Sequence, residues 1–395
     1  MVTLPLTRLI RPEAAEVRQS GIVEVFNYGR GREGLIPLWV GEGDLPTPRF
    51  ICEAAERSLA AGETFYTAQR GHPDFRAAIS AYTNRHYGGR LQFSPEQFFV
   101  TTGGMHALQI AMRLVAGVGD EVIVPVPAWP NFEAALTIAG ATTIGVPLEL
   151  QERAQGLRWY LDAQRVERAL TPRSKALVIN TPANPTGWTA SLEELRALLD
   201  LARKYGLWIV ADEIYGRICF DGTRAPSFHD IMEKDDRILF VQTLSKNWSM
   251  TGWRVGWLEA PPELGDVIEN LIQYSSSGVL MASQRAAACA LSEGERFLES
   301  QLQRWAQSCR VLCEGLKETG RAHFAAPLGT FYLFCAFDGV EDARATALKI
   351  VDEANVGLAP GTAFGKGGER FMRICFARDP NSIREAVERL QIWLR

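Results

Sequence analysis

Ser245-Lys246-Asn-Trp-Ser-Met250-Thr-Gly-Trp-Arg254-Val-Gly256 decides how the rest of the chain is read. It follows, after Leu244, an apolar run, Arg237-Ile-Leu-Phe-Val-Gln-Thr243, that reads as a buried strand. A lysine then stands at the mouth of a strand, flanked by the hydroxyls of Thr243 and Ser245, with Arg254 eight residues beyond. Such a lysine can form an imine with an aldehyde while its neighbours hold a phosphate. Taken alone, a lysine beside an arginine is a solvated pair. What lifts this one is the company it keeps elsewhere.

Thr102-Gly103-Gly104-Met105 follows the strand-like Phe98-Phe-Val-Thr101 and opens a helical pattern carried by Ala107, Leu108, Ala111, Leu114 and Val115. Glycines at a helix start let backbone N–H groups approach a phosphate, and the helix dipole favours the anion. Trp129, just past the strand Glu121-Val-Ile-Val-Pro125, can stack on a flat ring, although packing is the commoner use of such an aromatic. Asn184-Pro-Thr-Gly187 follows Lys175-Ala-Leu-Val-Ile-Asn180; it is a turn by its own chemistry and offers an amide donor. Asp212 closes the strand Trp208-Ile-Val-Ala-Asp212, behind a helix opened by the capping pair Ser191 and Glu194 and stopped by Gly206. A carboxylate at a buried strand end must find a cation or change its charge state. Tyr215, three residues on, adds a hydroxyl.

An aldehyde, a phosphate, a protonatable ring nitrogen and a phenolic oxygen are together carried by pyridoxal 5'-phosphate. Each strand named above ends at a candidate residue. In open α/β sheets ligands collect at the carboxyl ends of the parallel strands, so the candidates converge by topology. Strands and helices alternate from about Phe98 to Leu244, which predicts a mostly parallel sheet with helices on both faces. After about Ala288 the texture changes. A helical stretch over Gly294–Lys317 leads to Gly329-Thr-Phe-Tyr-Leu-Phe-Cys335, a helix near Ala343–Ala354, a strand around Arg373 and a last helix opened by Asp379-Pro380.

Ser-Lys…Met-Thr-Gly-Trp-Arg-x-Gly, with Ala211-Asp-Glu-Ile-Tyr215 and Asn184-Pro-Thr-Gly187 in support, resembles the class I/II aminotransferases of the fold-type-I pyridoxal-phosphate superfamily. The likeness runs from about Leu38 to the C-terminus. It implies an α/β fold: a large domain (45–290) with a seven-stranded-type sheet flanked by helices, and a smaller α+β domain from 1–44 together with 291–395. It also implies roles. Lys246 forms the imine; Thr243, Ser245 and Arg254 bind phosphate with the Gly104 and Met105 amides. Asp212 pairs the pyridine nitrogen, Tyr215 and Asn184 the ring oxygen, and Trp129 stacks. Gly41, in Leu38-Trp-Val-Gly41-Glu-Gly-Asp44, lies against the substrate carboxylate that Arg373 and Asn184 bind. Tyr66 reaches the phosphate of a second subunit, so the resemblance implies a homodimer with shared active sites. Two positions depart from the family pattern: Gly43 stands where proline is usual, and Met105 where aspartate-specific bacterial members carry lysine.

Bulk properties fit a globular enzyme. Length of 395 residues suggests two or three domains, and 47% hydrophobic residues supply a large core. A net charge of −4 argues against a nucleic-acid surface. Seven cysteines without a CxxC pair read as thiols of a cytoplasmic protein, and neither they nor the five histidines have metal-ligand spacing. No apolar run has membrane-spanning length, and Met1–Arg8 lacks a signal layout. Gly29-Arg-Gly-Arg-Glu-Gly34 matches GxGxxG only as a string: no strand precedes it, and a polar loop is expected.

The expected activity is amino transfer between an α-amino acid and a 2-oxo acid. Two alternatives share the motifs: a C–S β-lyase acting on sulfur amino acids, and a non-catalytic cofactor-sensing module of a transcription regulator. The latter needs a DNA-binding domain ahead of the fold, and 37 residues are too few for one. A neutral or aromatic substrate is expected, because Met105 and Asn270-Leu-Ile-Gln273 place no cation where aspartate-specific relatives have one. Phe26, Tyr28, Trp39 and Met105 are candidates to line that pocket. Arg30 or Arg32 could fold over it and rescue an acidic substrate.

Overall fold

The computed structural model describes residues 6–15, 17, 19–153 and 156–395. Its centre is a seven-stranded sheet of β1 (Phe98–Thr101), β2 (Glu121–Val126), β3 (Thr142–Pro147), β4 (Ser174–Asn180), β5 (Trp208–Asp212), β6 (Ile238–Thr243) and β7 (Gly256–Glu259). The spatial order is β1-β7-β6-β5-β4-β2-β3. β3, β2, β4, β5 and β6 are parallel neighbours. β7 runs antiparallel between β1 and β6. β4 to β6 are almost continuously apolar and buried, as strands covered on both faces must be.

That reversed strand was not legible as a separate element, yet it builds one corner of the site. A Cβ on Gly256 would stand 3.1 Å from both Gly103 C and Gly104 N. Only glycine lets β7 start this close to the turn after β1.

The helices follow local signals. In the helix Gly21–Gly29 (α1), Ser20 Oγ accepts from Ile22 N. Gly104–Val115 (α2) leaves the turn after β1 and buries Ala107, Leu108 and Ala111. Leu192–Tyr205 (α3) is opened by a reciprocal pair: Ser191 Oγ accepts from Glu194 N (3.1 Å) and Glu194 Oε2 from Ser191 N (2.8 Å). It ends at Gly206, whose φ of +65° suits a residue without Cβ.

A second, antiparallel sheet contains β8 (Ala322–Phe324), β9 (Tyr332–Phe337), β10 (Ala359–Pro360) and β11 (Phe371–Cys375), in the order β8-β9-β11-β10. With it come the long helix α4 (Glu295–Lys317), α5 (Ala343–Ala354) and α6 (Pro380–Trp393). Asp379 caps α6 by accepting from Asn381 N at 2.9 Å.

The segment after α1 crosses to this sheet. Ile36–Pro37 pairs in parallel with Val356–Gly357, Leu38 N donates to Gly357 O (2.8 Å), and Cys375 N donates to Leu38 O (2.9 Å). Residues 38–47 then run as a strap between the two sheets. Arg304 grips Asp44 and Arg378 Nη1 donates to Glu42 O from one side, while Thr47 Oγ1 donates to Ser249 O from the other. Gly29 of the GxGxxG string closes α1, and no strand precedes it. No helix among the described residues is long and apolar enough to cross a membrane.

Candidate active site

Lys246, just past the end of β6, lies near Asp212 at the end of β5 and against the strap. Its Nζ donates to Gly41 O at 2.7 Å. Burial draws the amine down to about 8, with Arg373 and Arg254 adding repulsion and Cys375 and Glu42 opposing it. A lysine held this way spends part of its time as a free amine near neutral pH.

Asp212 ends β5 with 2% exposure. The only hydrogen bond to its carboxylate among the described residues comes from Ile214 N, at 3.4 Å. Burial pushes the carboxyl up to about 7, against the backbone bond and the charge of Lys246. No salt bridge reaches this buried carboxylate among the described residues, so it is placed to receive a cation. Asn180, which the sequence offered only as a strand end, fixes its backbone: Nδ2 donates to Asp212 O (2.9 Å), and Oδ1 accepts from Asn184 N (2.8 Å).

An anion cradle lies beside them. Gly103, at φ +86°, precedes α2 and offers no side-chain cap, so the Gly104 and Met105 amides lack intrahelical partners. Arg254, itself at φ +52°, packs against this turn; a Cβ on Gly103 would stand 2.9 Å from its Nη2. Thr243 Oγ1 and Ser245 Oγ are 2.9 Å apart, and a Gly104 Cβ would touch Thr243 Cβ at 3.4 Å. Two hydroxyls, a guanidinium and a helix N-terminus therefore converge.

At the other end, Arg373 on β11 is 2% exposed. Its guanidinium packs on the rings of Tyr332 (4.5 Å) and Phe364 (4.8 Å). Nη1 donates to Asn184 Oδ1 at 2.9 Å and Nη2 to Trp39 O, while Nε has no hydrogen-bond partner among the described residues. With its carbonyl end taken by Arg373, Asn184 keeps its NH2 end as a donor. The buried Tyr215 hydroxyl is 2.9 Å from that of Tyr332. In the sequence Tyr332 is one residue of the apolar stretch Gly329–Cys335, and nothing local marks it.

Trp129 is half-buried and edge-on to Phe132 (5.6 Å, 89°). Its loop is anchored where Ala128 N donates to Phe364 O (2.9 Å). Met105 Sδ faces Asn131 Nδ2 at 3.2 Å. Tyr66 is the exception: it is 94% exposed and joins none of these groups.

Two pocket-lining candidates are engaged elsewhere. Tyr28 hydrogen-bonds Asp352 on α5 (2.9 Å), and Arg32 pairs with the same carboxylate (2.7 Å) while stacking on Tyr28 (4.7 Å). Trp39 is wedged in the core between Gly29 and Gly357, and it is its carbonyl that reaches the site. A wide cleft lined by Arg153, Trp159, Trp188 and Leu328 holds none of the candidate residues.

The family description "Aminotransferase class I and II" matches residues 33–390. The chain belongs to the class I and II aminotransferases. It is 30% identical over 390 residues to a probable N-acetyl-LL-diaminopimelate aminotransferase of Bacillus subtilis, covering 98% of this chain and 96% of that one. It is 29% identical over 384 residues to aromatic-amino-acid aminotransferase 2 of Thermococcus litoralis, covering 96% of each. The crystal structure of an aspartate aminotransferase from Thermotoga maritima superposes with a TM-score of 0.89 at 32% identity, covering 98% of this chain and 100% of that one. None of these is named as a lyase or a regulator.

This aminotransferase is therefore a pyridoxal-phosphate enzyme of the fold-type-I class that moves an amino group between an amino acid and a 2-oxo acid. The residues present fit the group: a buried amine for the aldehyde, an anion cradle for the phosphate, and in Asp212 a buried carboxylate without a salt bridge among the described residues.

Proposed function

We propose that this aminotransferase acts on neutral or aromatic α-amino acids through Lys246, Asp212 and Tyr215, with Arg373 and Gly41 receiving the substrate carboxylate. The observation that carries the site assignment is Asp212, buried to 2% and without a salt bridge among the described residues. Pyridoxal phosphate, when bound, supplies an aldehyde for amine exchange and a ring that withdraws electron density from the substrate Cα. Asp212 would pair with the ring nitrogen and keep it protonated. Gly104, Met105, Thr243, Ser245 and Arg254 would hold the phosphate, and Trp129 would stack on the ring. Tyr215 and the Asn184 NH2 would donate to the ring oxygen. Arg373 meets the substrate carboxylate with parallel donors, which orients the Cα hydrogen toward Lys246. Lys246 Nζ, neutral in part because it is buried, takes up that proton as general base.

The substrate reading rests on missing charge. Met105 occupies the position after the glycine pair, and Arg32 is tied to Asp352. A side-chain carboxylate left without a cation costs several kcal/mol. The names of relatives do not choose for this chain, since they cover aspartate, aromatic and acylated diaminopimelate substrates.

A homodimer is supported by Phe65 (87%), Tyr66 (94%) and Tyr274 (84%), large apolar side chains left exposed on segments that adjoin where Thr67 Oγ1 donates to Val279 O (3.0 Å). In this reading Tyr66 completes the phosphate cradle of the second subunit. The lobes are 45–290 and 1–44 with 291–395; of the second, 1–5, 16 and 18 lie outside the described residues. All seven cysteines are free thiols, in keeping with a cytoplasmic enzyme.

The test is a half-reaction screen that follows loss of the bound cofactor's absorbance against the common amino acids. Phenylalanine, tyrosine, leucine or methionine should lead. A preference of roughly tenfold or more for aspartate or glutamate in kcat/KM overturns the substrate assignment.

A further inference from the structure

Tyr332 touches both ends of the site. It lies on β9 with 1% exposure, opposite Cys375 in the β9–β11 register and therefore two residues from Arg373. Its ring is 4.5 Å beneath the Arg373 guanidinium and its hydroxyl 2.9 Å from that of Tyr215. Phe331 packs against it at 4.9 Å and Tyr215 edge-on at 5.7 Å, so the ring has little room to turn.

We propose that Tyr332 is a positioning residue for amino transfer, its ring fixing the plane of Arg373 and its hydroxyl donating to Tyr215. This rests on the roles proposed above for Arg373 and Tyr215. The direction of the hydrogen bond follows by counting protons. Tyr215 has one; if it goes to the cofactor's ring oxygen, the Tyr215 oxygen must accept from Tyr332. Burial raises the pKa of both phenols, so neither gives up its proton in the working range. Chained hydroxyls polarise one another, which makes Tyr215 a stronger donor than it would be alone.

The ring does separate work. Tyr332 and Phe364 both pack on Arg373, at 4.5 and 4.8 Å, while Asn184 and Trp39 occupy one donor on each terminal nitrogen. Two ring contacts and two hydrogen bonds hold the guanidinium in place. The titratable groups around Tyr332 are Arg373 and Cys375 on β11, Tyr215 after β5, and Glu42 in the strap.

The holoenzyme is titrated by the absorbance of its bound cofactor in four forms: wild type, Tyr332→Phe, Tyr215→Phe and the double variant. Loss of a donor to the ring oxygen destabilises its anion, so the apparent pKa rises. Tyr332→Phe should raise it by about 0.5 unit, Tyr215→Phe by more, and the double variant by no more than Tyr215→Phe alone. KM for the amino acid should stay within about twofold in Tyr332→Phe, which keeps the ring, and rise roughly fivefold in a folded Tyr332→Leu. A Tyr332→Phe shift under about 0.1 unit beside a clear Tyr215→Phe shift overturns the proposal, as do additive shifts in the double variant. If Tyr215→Phe itself produces no shift, the role of Tyr215 falls first and takes this proposal with it. Should Tyr332→Leu fail to fold, the phenylalanine series still decides.

Discussion

A Cβ on Gly41 would overlap the hydroxyl oxygen of Tyr332 and stand 2.9 Å from its Cζ. Gly41 does not have a positive φ, so alanine is conformationally acceptable there; what is missing is space. Tyr332 is buried against Phe331 and Arg373 and cannot yield, so the strap must move and draw the Gly41 carbonyl away from Lys246. Gly41→Ala should reduce turnover by about 100-fold, the scale expected when a reacting group shifts by about 1 Å. Overpacking should also cost about 1–3 kcal/mol of stability. Steady-state kinetics and thermal unfolding of the same preparation check both; wild-type turnover would mean that the strap adjusts freely.

Asp212 makes the cofactor-free protein pH-sensitive in a defined window. Its folded pKa, about 7, lies above the ordinary 3.8 because the charged form is buried. A raised folded pKa contributes stability that is fully present below the unfolded value and lost as pH rises through the folded one. Wild-type apoenzyme should therefore lose stability relative to Asp212→Asn between about pH 4 and 7, by an amount on the order of 1–4 kcal/mol. Adding pyridoxal phosphate should close the gap or reverse it, because the wild-type carboxylate then has its cation. Melting temperatures of both proteins at pH 5 and pH 8, with and without cofactor, give the comparison. A gap that does not change with pH removes Asp212 as the unpaired acid. Turnover of Asp212→Ala should fall far more than its stability.

Local physics made much of this legible. α3 was readable because Ser191, Glu194 and Gly206 state its ends in short-range chemistry and its leucines recur on one face. Asp212 and Lys246 were readable because each follows an apolar run, and a charge at that point needs a reason. The harder features depend on contacts distant in sequence. β7 carries nothing that says it will reverse and slot between β1 and β6. Tyr332 sits in an ordinary apolar strand; its use follows from facing Tyr215, 117 residues away. Trp39 looked like a pocket residue because it is large and aromatic, but Gly29 and Gly357 make a slot for it in the core. Arg32 looked free until α5 brought Asp352 to it.

Lys246 should capture the cofactor with the pH dependence of a depressed amine. Its pKa is drawn from 10.5 to about 8 by burial. Below that value the reactive amine is a minority species, and its fraction falls about tenfold per pH unit. The rate of pyridoxal-phosphate capture by apoenzyme should rise over pH 6–8 and level off above it, whereas a solvated lysine would keep rising toward pH 10. Stopped-flow absorbance gives the profile. Borohydride reduction and peptide mapping should then put the label on Lys246. A label on another lysine overturns the assignment.

Tyr66 supplies the last test, because its 94% exposure leaves it with no task in its own protomer. If it completes the phosphate cradle of the second subunit, the two defects of Tyr66→Phe and Lys246→Ala belong to different sites when carried on different chains. In a hybrid dimer one site then has both defects and the other has neither. Lys246→Ala alone should be inactive, and Tyr66→Phe alone should bind cofactor more weakly through the lost phosphate contact. After subunit exchange of an equal mixture, activity should climb above that of the unexchanged mixture, toward roughly a quarter of wild type when exchange is random and both parents are inactive. Sedimentation run alongside should show a dimer throughout. If exchange occurs and activity stays at the unexchanged level, Tyr66 serves only its own chain; a fully active monomer removes the shared site altogether.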